Sequence, residues 1–302
     1  MRVLIEAVGS PVWGPLLPSL HSVASHIVGV DINPLSAGLY RVDRGCLVPK
    51  YHDPACWPRL EQLLAEEAID WVIPSINEGL TGWAARHASL AKKGITLLLS
   101  PASTVEIFSD KWRTYEFFTA HGIPTPQTSL RHEFELIKPR LGRGSAGIRR
   151  EAPTGADLHD DVSQEVLEGR EFSVDALCDS HGRVLYVVPR ERLHVVSGLS
   201  MTSQVFRDEA VERHVRHILK SIAFYGPVNI QGFRTSTGVK FTEINPRLAG
   251  GLSLSMAATE NWFALLLRLH EGAAFAPQPL KDRLTMMRQF CDVIVPAEQL
   301  LS

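Results

Sequence analysis

Cysteine is sparse in this chain of 302 residues: Cys46, Cys56, Cys178 and Cys291 lie far apart and form no Cys-x-x-Cys pair. That excludes a disulfide framework and a thiolate zinc site, and reads as free thiols in a reducing, cytoplasmic setting. Long apolar runs are missing too. Val3-Leu4-Ile5 soon reaches Glu6, and the stretch Trp262 to Leu267 is far below membrane-spanning length, so neither a signal-peptide core nor a membrane span is expected. Charge of one sign is also absent. The formal net charge is −2 with no long basic run, which leaves no electrostatic footprint for nucleic acid or an anionic membrane. No internal repeat or low-complexity tract occurs, so an ordinary globular protein acting on small molecules is expected.

With 45% hydrophobic residues, the chain can bury more than one core, and two or three packed units are expected. The first hundred residues alternate short apolar runs with amphipathic stretches. Val3-Leu4-Ile5, His26 to Asp31, Trp71 to Pro74 and Ile95 to Leu99 are separated by segments of helical period such as Trp57 to Ala68. This predicts parallel strands with crossover helices, a small doubly wound domain. A dinucleotide site is the lesser reading: the glycines after the first strand fall at Gly9 and Gly14, Pro11 and Pro15 break the turn where a helix should begin, and no Gly-x-Gly-x-x-Gly is present. Asp31 at the end of the second strand could hold a ribose, but without the glycine turn a strand-end turn residue is the plainer reading.

Ser103 with Glu106 predicts a capping box opening a helix. A second helix is expected from Asp110 to about His121, with Trp112, Tyr115 and Phe118 on one face, Gly122 as its stop and Pro124 beyond. From Glu171 onward strand-like alternation dominates. Turn signals at Asp179 to Gly182 and Thr235 to Gly238 predict two antiparallel hairpins in an α+β unit.

The most informative segment is Glu243-Ile244-Asn245-Pro246-Arg247, preceded by Val228-Asn229-Ile230-Gln231. Residues two apart on a strand share a face, so Glu243 and Asn245 project together. A hairpin closed by a loop from Ser236 to Gly238, with Gly238 left-handed, sets Gln231 opposite Glu243. One carboxylate and two amide oxygens on one face make a hard-oxygen site suited to Mg²⁺, and Arg247 can clamp a phosphoryl group. A solvated hairpin face is the plainer alternative for Glu243 and Asn245 alone. In the segment Leu136 to Ile148, glycines let backbone amides approach phosphate oxygens while Lys138 supplies a point charge, although the spacing is not that of a P-loop. An exposed Gly/Ser-rich hairpin is its alternative. The strand ending Glu165-Val166-Leu167 offers backbone groups that can pair with an adenine edge, and Glu171 can accept from ribose hydroxyls; an ordinary strand and turn reads equally well.

In order along the chain stand Asp110-Lys111 before a helix ending Gly122-Ile123-Pro124-Thr125-Pro126, the Lys138 loop, Gln164-Glu165, Gly169 to Asp175, Gln231 and Glu243 to Arg247. This series resembles the ATP-grasp superfamily, and within it the carbamoyl-phosphate-synthase-like branch of carboxylate–amine ligases. The resemblance implies an α/β plus α+β architecture. Residues 1–102 would be a Rossmann-like domain, 103–168 the small lid half of an ATP-grasp fold, and 169–302 its C-terminal half with the metal site. It implies ATP with Mg²⁺, two ions for which Mn²⁺ can substitute. Lys111 and Lys138 would touch the phosphates; Ser145, Gly144 and Gly147 would form the flap over them; Glu165 and Leu167 would face adenine, and Glu171 the ribose. Gln231, Glu243 and Asn245 would hold the metals, with Arg247 and Lys138 at the transferred phosphoryl group. Arg190 and Arg192, after a strand from Val184 to Val188, would meet the substrate carboxylate, a charged strand end being the alternative. Substrate choice would lie with Ser75, Asn77 and Glu78 and the segment Val195 to Ser203; for Glu78, capping the following helix competes.

The implied reaction is ADP-forming C–N ligation of a small-molecule carboxylate and an amine through an acyl phosphate. A phosphotransferase on the same scaffold and a non-catalytic nucleotide-binding subunit are the alternatives, and a homo-oligomer is left open. One departure stands out. The short spacings from Thr128 to Lys138 and from Ile148 to Gln164 leave little room for the helices usual in the first half of the grasp.

Overall fold

The computed structural model describes residues 1–142, 147–150 and 157–301. The chain divides into two compact units, one of Met1–Leu99, Glu260–Ala276 and Gln289–Ser302, the other of Ser100–Thr259 and Pro277–Arg288. No helix among the described residues is long and apolar enough to cross a membrane.

The first unit alternates strands and helices: β1 (Arg2–Glu6), α1 (Trp13–His21), β2 (His26–Asp31), β3 (Arg44–Leu47), α2 (Cys56–Glu66), β4 (Trp71–Ile73), α3 (Asn77–Ala85), α4 (His87–Lys92) and β5 (Thr96–Leu97). The strands form one parallel sheet in the order β3-β2-β1-β4-β5. Val3, Leu4, Ile5, Ile27, Val28 and Val72 are all buried, as unbroken apolar runs covered on both faces should be. The sequence carried no apolar run for β3. The expected break after β1 is also corrected: α1 begins at Trp13 and accommodates Pro15 in its first turn, where an amide would have no helical partner anyway. Asp31 does serve as a turn residue, its Oδ2 accepting from Gly9 N at 2.8 Å and its Oδ1 from Asn33 N at 3.1 Å.

The second unit opens with α5 (Ala102–Phe108) and α6 (Lys111–Ala120). The expected capping box does not form. The cap of α5 is Pro101, with no side-chain cap bond, and Ser103 falls inside the first turn. Asp110 caps α6 by accepting from Trp112 N and Arg113 N. The buried face of α6 is Thr114, Phe117 and Phe118, so Trp112 and Tyr115 of the expected face lie to its side, 5.4 Å apart. Three short strands, β6 (Thr128–Ser129), β7 (Leu136–Pro139) and β8 (Asp161–Gln164), form an antiparallel sheet in the order β6-β8-β7. Among the described residues no helix lies between β6 and β7 or between β7 and β8, in keeping with the short spacings.

The larger sheet contains β9 (Arg170–Cys178), β10 (Val184–Val196), β11 (Leu199–Val205), β12 (Gly226–Thr235) and β13 (Gly238–Asn245). Helix α7 (Glu209–Ser221) links β11 to β12, α8 (Leu252–Ala258) follows β13, α9 (Trp262–His270) belongs to the first unit, and β14 (Thr285–Met287) returns to the second. The antiparallel order is β13-β12-β9-β10-β11-β14. Both expected hairpins are present: Asp179 holds the first by accepting from His181 N and Arg183 N, and Gly238, at φ 124°, closes the second.

Alternation along these strands produces two unlike faces. Phe172, Val174 and Ala176 of β9, Val228 and Ile230 of β12, and Phe241 and Ile244 of β13 enter one apolar core. Phe117 and Phe118 of α6 and Val211, Val215, Ile218 and Leu219 of α7 cover it. The intervening residues leave the opposite face polar.

Candidate functional site

That polar face carries Glu171, Ser173 and Asp175 on β9, Asn229 and Gln231 on β12, and Glu243 and Asn245 on β13, with Arg190 and Arg192 on β10. Gln231 pairs with Glu243 and Asn229 with Asn245, while Ser173 lies between Gln231 and Arg190 in the same row. The register is the expected one, reached by a different route. The loop holds only Ser236 and Thr237 between the paired Thr235 and Gly238, and an irregularity at Gln231/Gly232 takes up Thr242 and restores the pairing.

Lys111 and Lys138 are brought together from separate elements. The Asp110 carboxylate that caps α6 also receives Arg140 Nε at 3.2 Å and Nη2 at 2.5 Å, and Lys111 N donates to Arg140 O at 3.0 Å. The first turn of α6 is thereby tied to the end of β7, which carries Lys138. Lys111 Nζ donates to Gly142 O at 3.3 Å. Gly147, at φ 74°, lies where an added Cβ would meet Pro139 Cγ at 2.8 Å. Gly144 and Ser145 lie outside the described residues.

The charges of these groups act on one another through Glu243. Burial brings the Lys138 ammonium down to about 8, against the pull of Glu243 and with a further push from Lys111. Burial also lowers Lys111, opposed by Glu243 and Asp110. Burial raises the Glu171 carboxyl above its ordinary range; Arg192 opposes the rise and Glu243 adds to it. Two lysines, two glutamates and an arginine thus share one electrostatic neighbourhood. An anion bound beside these buried cations would offset the cost of burying their charge.

Side-chain hydrogen bonds order the face. Arg192 Nη1 donates to Glu171 Oε1 at 2.8 Å and to Gln231 Oε1 at 3.4 Å, and its Nη2 to Gly198 O at 2.8 Å. Its Nε is buried without a partner among the described residues. Asn245 Nδ2 donates to Glu243 Oε1 at 2.9 Å, and Arg247 Nη2 to Asn245 Oδ1 at 3.2 Å. Oxygens of Gln231, Glu243 and Asn245 are therefore gathered among cations. This donor set fits a Mg²⁺ that takes the rest of its shell from water and phosphate. No cluster of three His, Cys, Asp or Glu forms among the described residues.

Other expected residues fall elsewhere. Arg190 lies within β10, not beyond its end, and is 2% exposed. Its Nε and Nη2 donate to Asp175 at 2.8 and 3.0 Å. Gly251 makes room for it, since a Cβ there would meet Arg190 Nη1 at 2.2 Å. Arg190 is thus held in a buried pair, whereas Arg192 borders the face. Strand β8 ends at Gln164; the Glu165 amide donates to Gln127 O at 3.0 Å and its carboxylate pairs with Lys240. Leu167 is half-buried in the same segment. Glu78 is exposed in the first turn of α3, in the first unit. Sequence reading gave Asp175, Asn229 and Ser255 no role. The alternation Glu171, Ser173, Asp175 was the signal for the first of these, and nothing local marks Ser255.

Comparison with known proteins finds likeness in both parts of the chain. Residues 158–289 match the family described as ATP-grasp in the biosynthetic pathway with Ter operon, and residues 18–98 match the PylC-like, N-terminal domain. The carbamoyl phosphate synthase large chain of Thermoplasma acidophilum is 22% identical over 286 residues, which is 80% of this chain and 26% of the relative. The chain thus spans about a quarter of that protein's length. The biotin carboxylase domain of Hydrogenobacter thermophilus 2-oxoglutarate carboxylase, solved with MgADP, ADP and bicarbonate, superposes with a TM-score of 0.72. It is 15% identical, over 94% of this chain and 73% of that one. N5-carboxyaminoimidazole synthetase from Staphylococcus aureus, complexed with ADP, also gives 0.72 at 16% identity, over 93% of this chain and 79% of that one. At such identities the solved structures speak for the fold. The chain therefore shares the fold of these solved proteins, and it is similar to an ATP-grasp family over residues 158–289 and to a PylC-like N-terminal domain over residues 18–98.

Proposed function

We propose that this chain is an ADP-forming ligase that joins a small-molecule carboxylate to an amine through an acyl phosphate. The observation that carries the reading is the position of Glu243, whose charge acts on Lys111, Lys138, Glu171 and Arg192 together and which faces Gln231 in register. A lone hairpin face needs none of these partners. A magnesium nucleotide with a bound carboxylate gives each of them a use.

Gln231, Glu243 and Asn245 would hold magnesium, which when bound neutralises charge on the phosphates and orients them for transfer. Lys111 and Lys138 meet the phosphate oxygens with their positive charge. Glu165, Leu167 and Glu171 border the base and ribose, with Lys240 holding the Glu165 carboxylate out of the way. Arg247 and Arg192 steady the carboxylate that attacks the γ-phosphorus, giving an acyl phosphate and ADP. The amine nitrogen then attacks the acyl carbon, phosphate departs with the C–O bonding pair, and the amine proton passes to solvent. Because the acyl phosphate hydrolyses readily in water, its exclusion from solvent is the remaining duty of the residues around it.

The test is to incubate purified protein with MgATP and a panel of carboxylates and amines, following ADP, phosphate and amide. Amide formed in step with ADP supports the reading. A phosphorylated product without amide would establish the phosphotransferase alternative, and nucleotide binding with no turnover on any pair would overturn catalysis.

A further inference from the structure

The polar face also holds groups for which ligand binding by itself has no use. Asp175, 1% exposed, sits opposite Asn229. Its carboxylate receives Arg190 Nε at 2.8 Å and Nη2 at 3.0 Å, Ser255 Oγ at 2.6 Å and Asn229 Nδ2 at 2.9 Å. A salt-bridged carboxylate offers lone pairs alone. The Asn229 amide must therefore turn its NH₂ toward Asp175, which leaves its carbonyl facing the other way. That carbonyl receives Gln231 Nε2 at 2.9 Å. The Gln231 amide is oriented in turn, and its Oε1 is the atom left outward, facing Arg192 Nη1 at 3.4 Å.

We propose that Asp175 and Asn229 are positioning residues that lock the Gln231 side chain with its oxygen, not its NH₂, toward the metal-binding face. An amide is nearly symmetric in shape, so packing alone cannot choose between its two ends. Only a neighbour with fixed polarity can. Here the polarity originates at Asp175, which Arg190 and Ser255 hold from behind, and passes through Asn229 to Gln231. The amide turned the other way would place an NH₂ against a cation and remove an oxygen ligand. Such outer partners of a metal ligand commonly change metal affinity by roughly 10- to 100-fold when lost. The inference rests on the reading of Gln231 as a metal ligand.

The experiment measures Mn²⁺ binding to the full chain by electron paramagnetic resonance, with a non-hydrolysable ATP analogue present. Asn229→Leu removes the acceptor and should weaken Mn²⁺ binding by about tenfold. Asn229→Asp keeps an acceptor for Gln231 and should bind within about threefold of the unaltered protein, whatever it does to stability. Adding Gln231→Glu to Asn229→Leu should restore binding, because a carboxylate presents oxygen whichever way it turns. Asn229→Ser, which keeps a hydroxyl for Asp175 but is too short to reach Gln231, is read if the leucine variant does not fold. Unchanged binding in the folded leucine or serine variant, or no recovery with Gln231→Glu, overturns the relay. Absence of Mn²⁺–nucleotide binding in the unaltered protein instead overturns the site itself.

Discussion

Glu243 stands opposite Gln231 across β12 and β13, and its charge raises the proton affinity of Lys138, which burial otherwise depresses. Glu243→Gln removes the carboxylate proposed to hold the metal without changing the shape of a half-buried side chain. ATP turnover should fall by at least about 100-fold, the usual scale for losing one well-placed electrostatic group. The fold should be kept, as checked by circular dichroism. The same substitution should lower the Lys138 titration midpoint below its present value of about 8, which NMR of the lysine side chains can follow.

Lys138 itself predicts a pH dependence. Its folded value of about 8 lies below the ordinary 10.5, so between those values the unfolded chain holds a proton that the folded chain does not. Stability of the nucleotide-free protein should then rise with pH across that window, because the burden of a buried ammonium is full below about 8 and fades above it. Nucleotide affinity should run the opposite way, falling as pH passes through about 8 and the ammonium is lost. Lys138→Arg keeps its charge throughout and should flatten both slopes; calorimetric titration of an ATP analogue across pH is the measurement. An affinity that declines equally in the arginine variant would assign the effect to another group.

Much of this site was legible because its chemistry follows strand periodicity. Glu243 and Asn245 two apart, and Gln231 on the partner strand, declare a shared face before any coordinates. The route to the register was not legible, since the two-residue loop and the compensating irregularity at Thr242 cancel. Helix faces were harder. Trp112, Tyr115 and Phe118 all look like core, yet of these only Phe118 is buried, and the helix rolls to bury Thr114 and Phe117 beside it because the aromatic cluster around Phe108, Phe224 and Phe241 lies on that side. The buried state of Arg190 depends on Asp175 across the β9–β10 hairpin, on Ser255 from α8 and on a missing Cβ at Gly251. No local pattern encodes such a meeting.

Arg190 and Arg192 should respond differently to removal. Arg190→Met leaves Asp175 buried without its cation, which typically costs about 3–5 kcal/mol, and should sharply lower the denaturation midpoint of the second unit. Arg192 borders the face and pairs with the partly exposed Glu171. Arg192→Ala should cost far less stability and should raise KM for the carboxylate substrate about tenfold or more, the scale of one lost charge-assisted hydrogen bond. If both variants unfold alike, or if Arg192→Ala leaves KM unchanged, the division of labour between them is wrong.

Glu6 gives a prediction for the first unit. It is 1% exposed, and its carboxylate accepts from Ser75 N at 2.6 Å, Ile76 N at 3.0 Å, Trp83 Nε1 at 2.9 Å and the Tyr51 hydroxyl. Every neighbour donates, so Glu6→Gln would point an NH₂ at donors and strand at least one of them, a loss of about 2–4 kcal/mol. Hydrogen exchange at the Ser75 and Ile76 amides should accelerate, while exchange in β9 and β12 should not. Burial holds the Glu6 carboxyl above its ordinary 4.5 despite these four bonds. Its protonation therefore favours the fold: this contribution is complete below 4.5 and is lost as pH rises through the folded value. The glutamine variant cannot titrate, so its first unit should be less stable but should lose that slope. A stability profile of the same slope in both proteins would place the titrating group elsewhere.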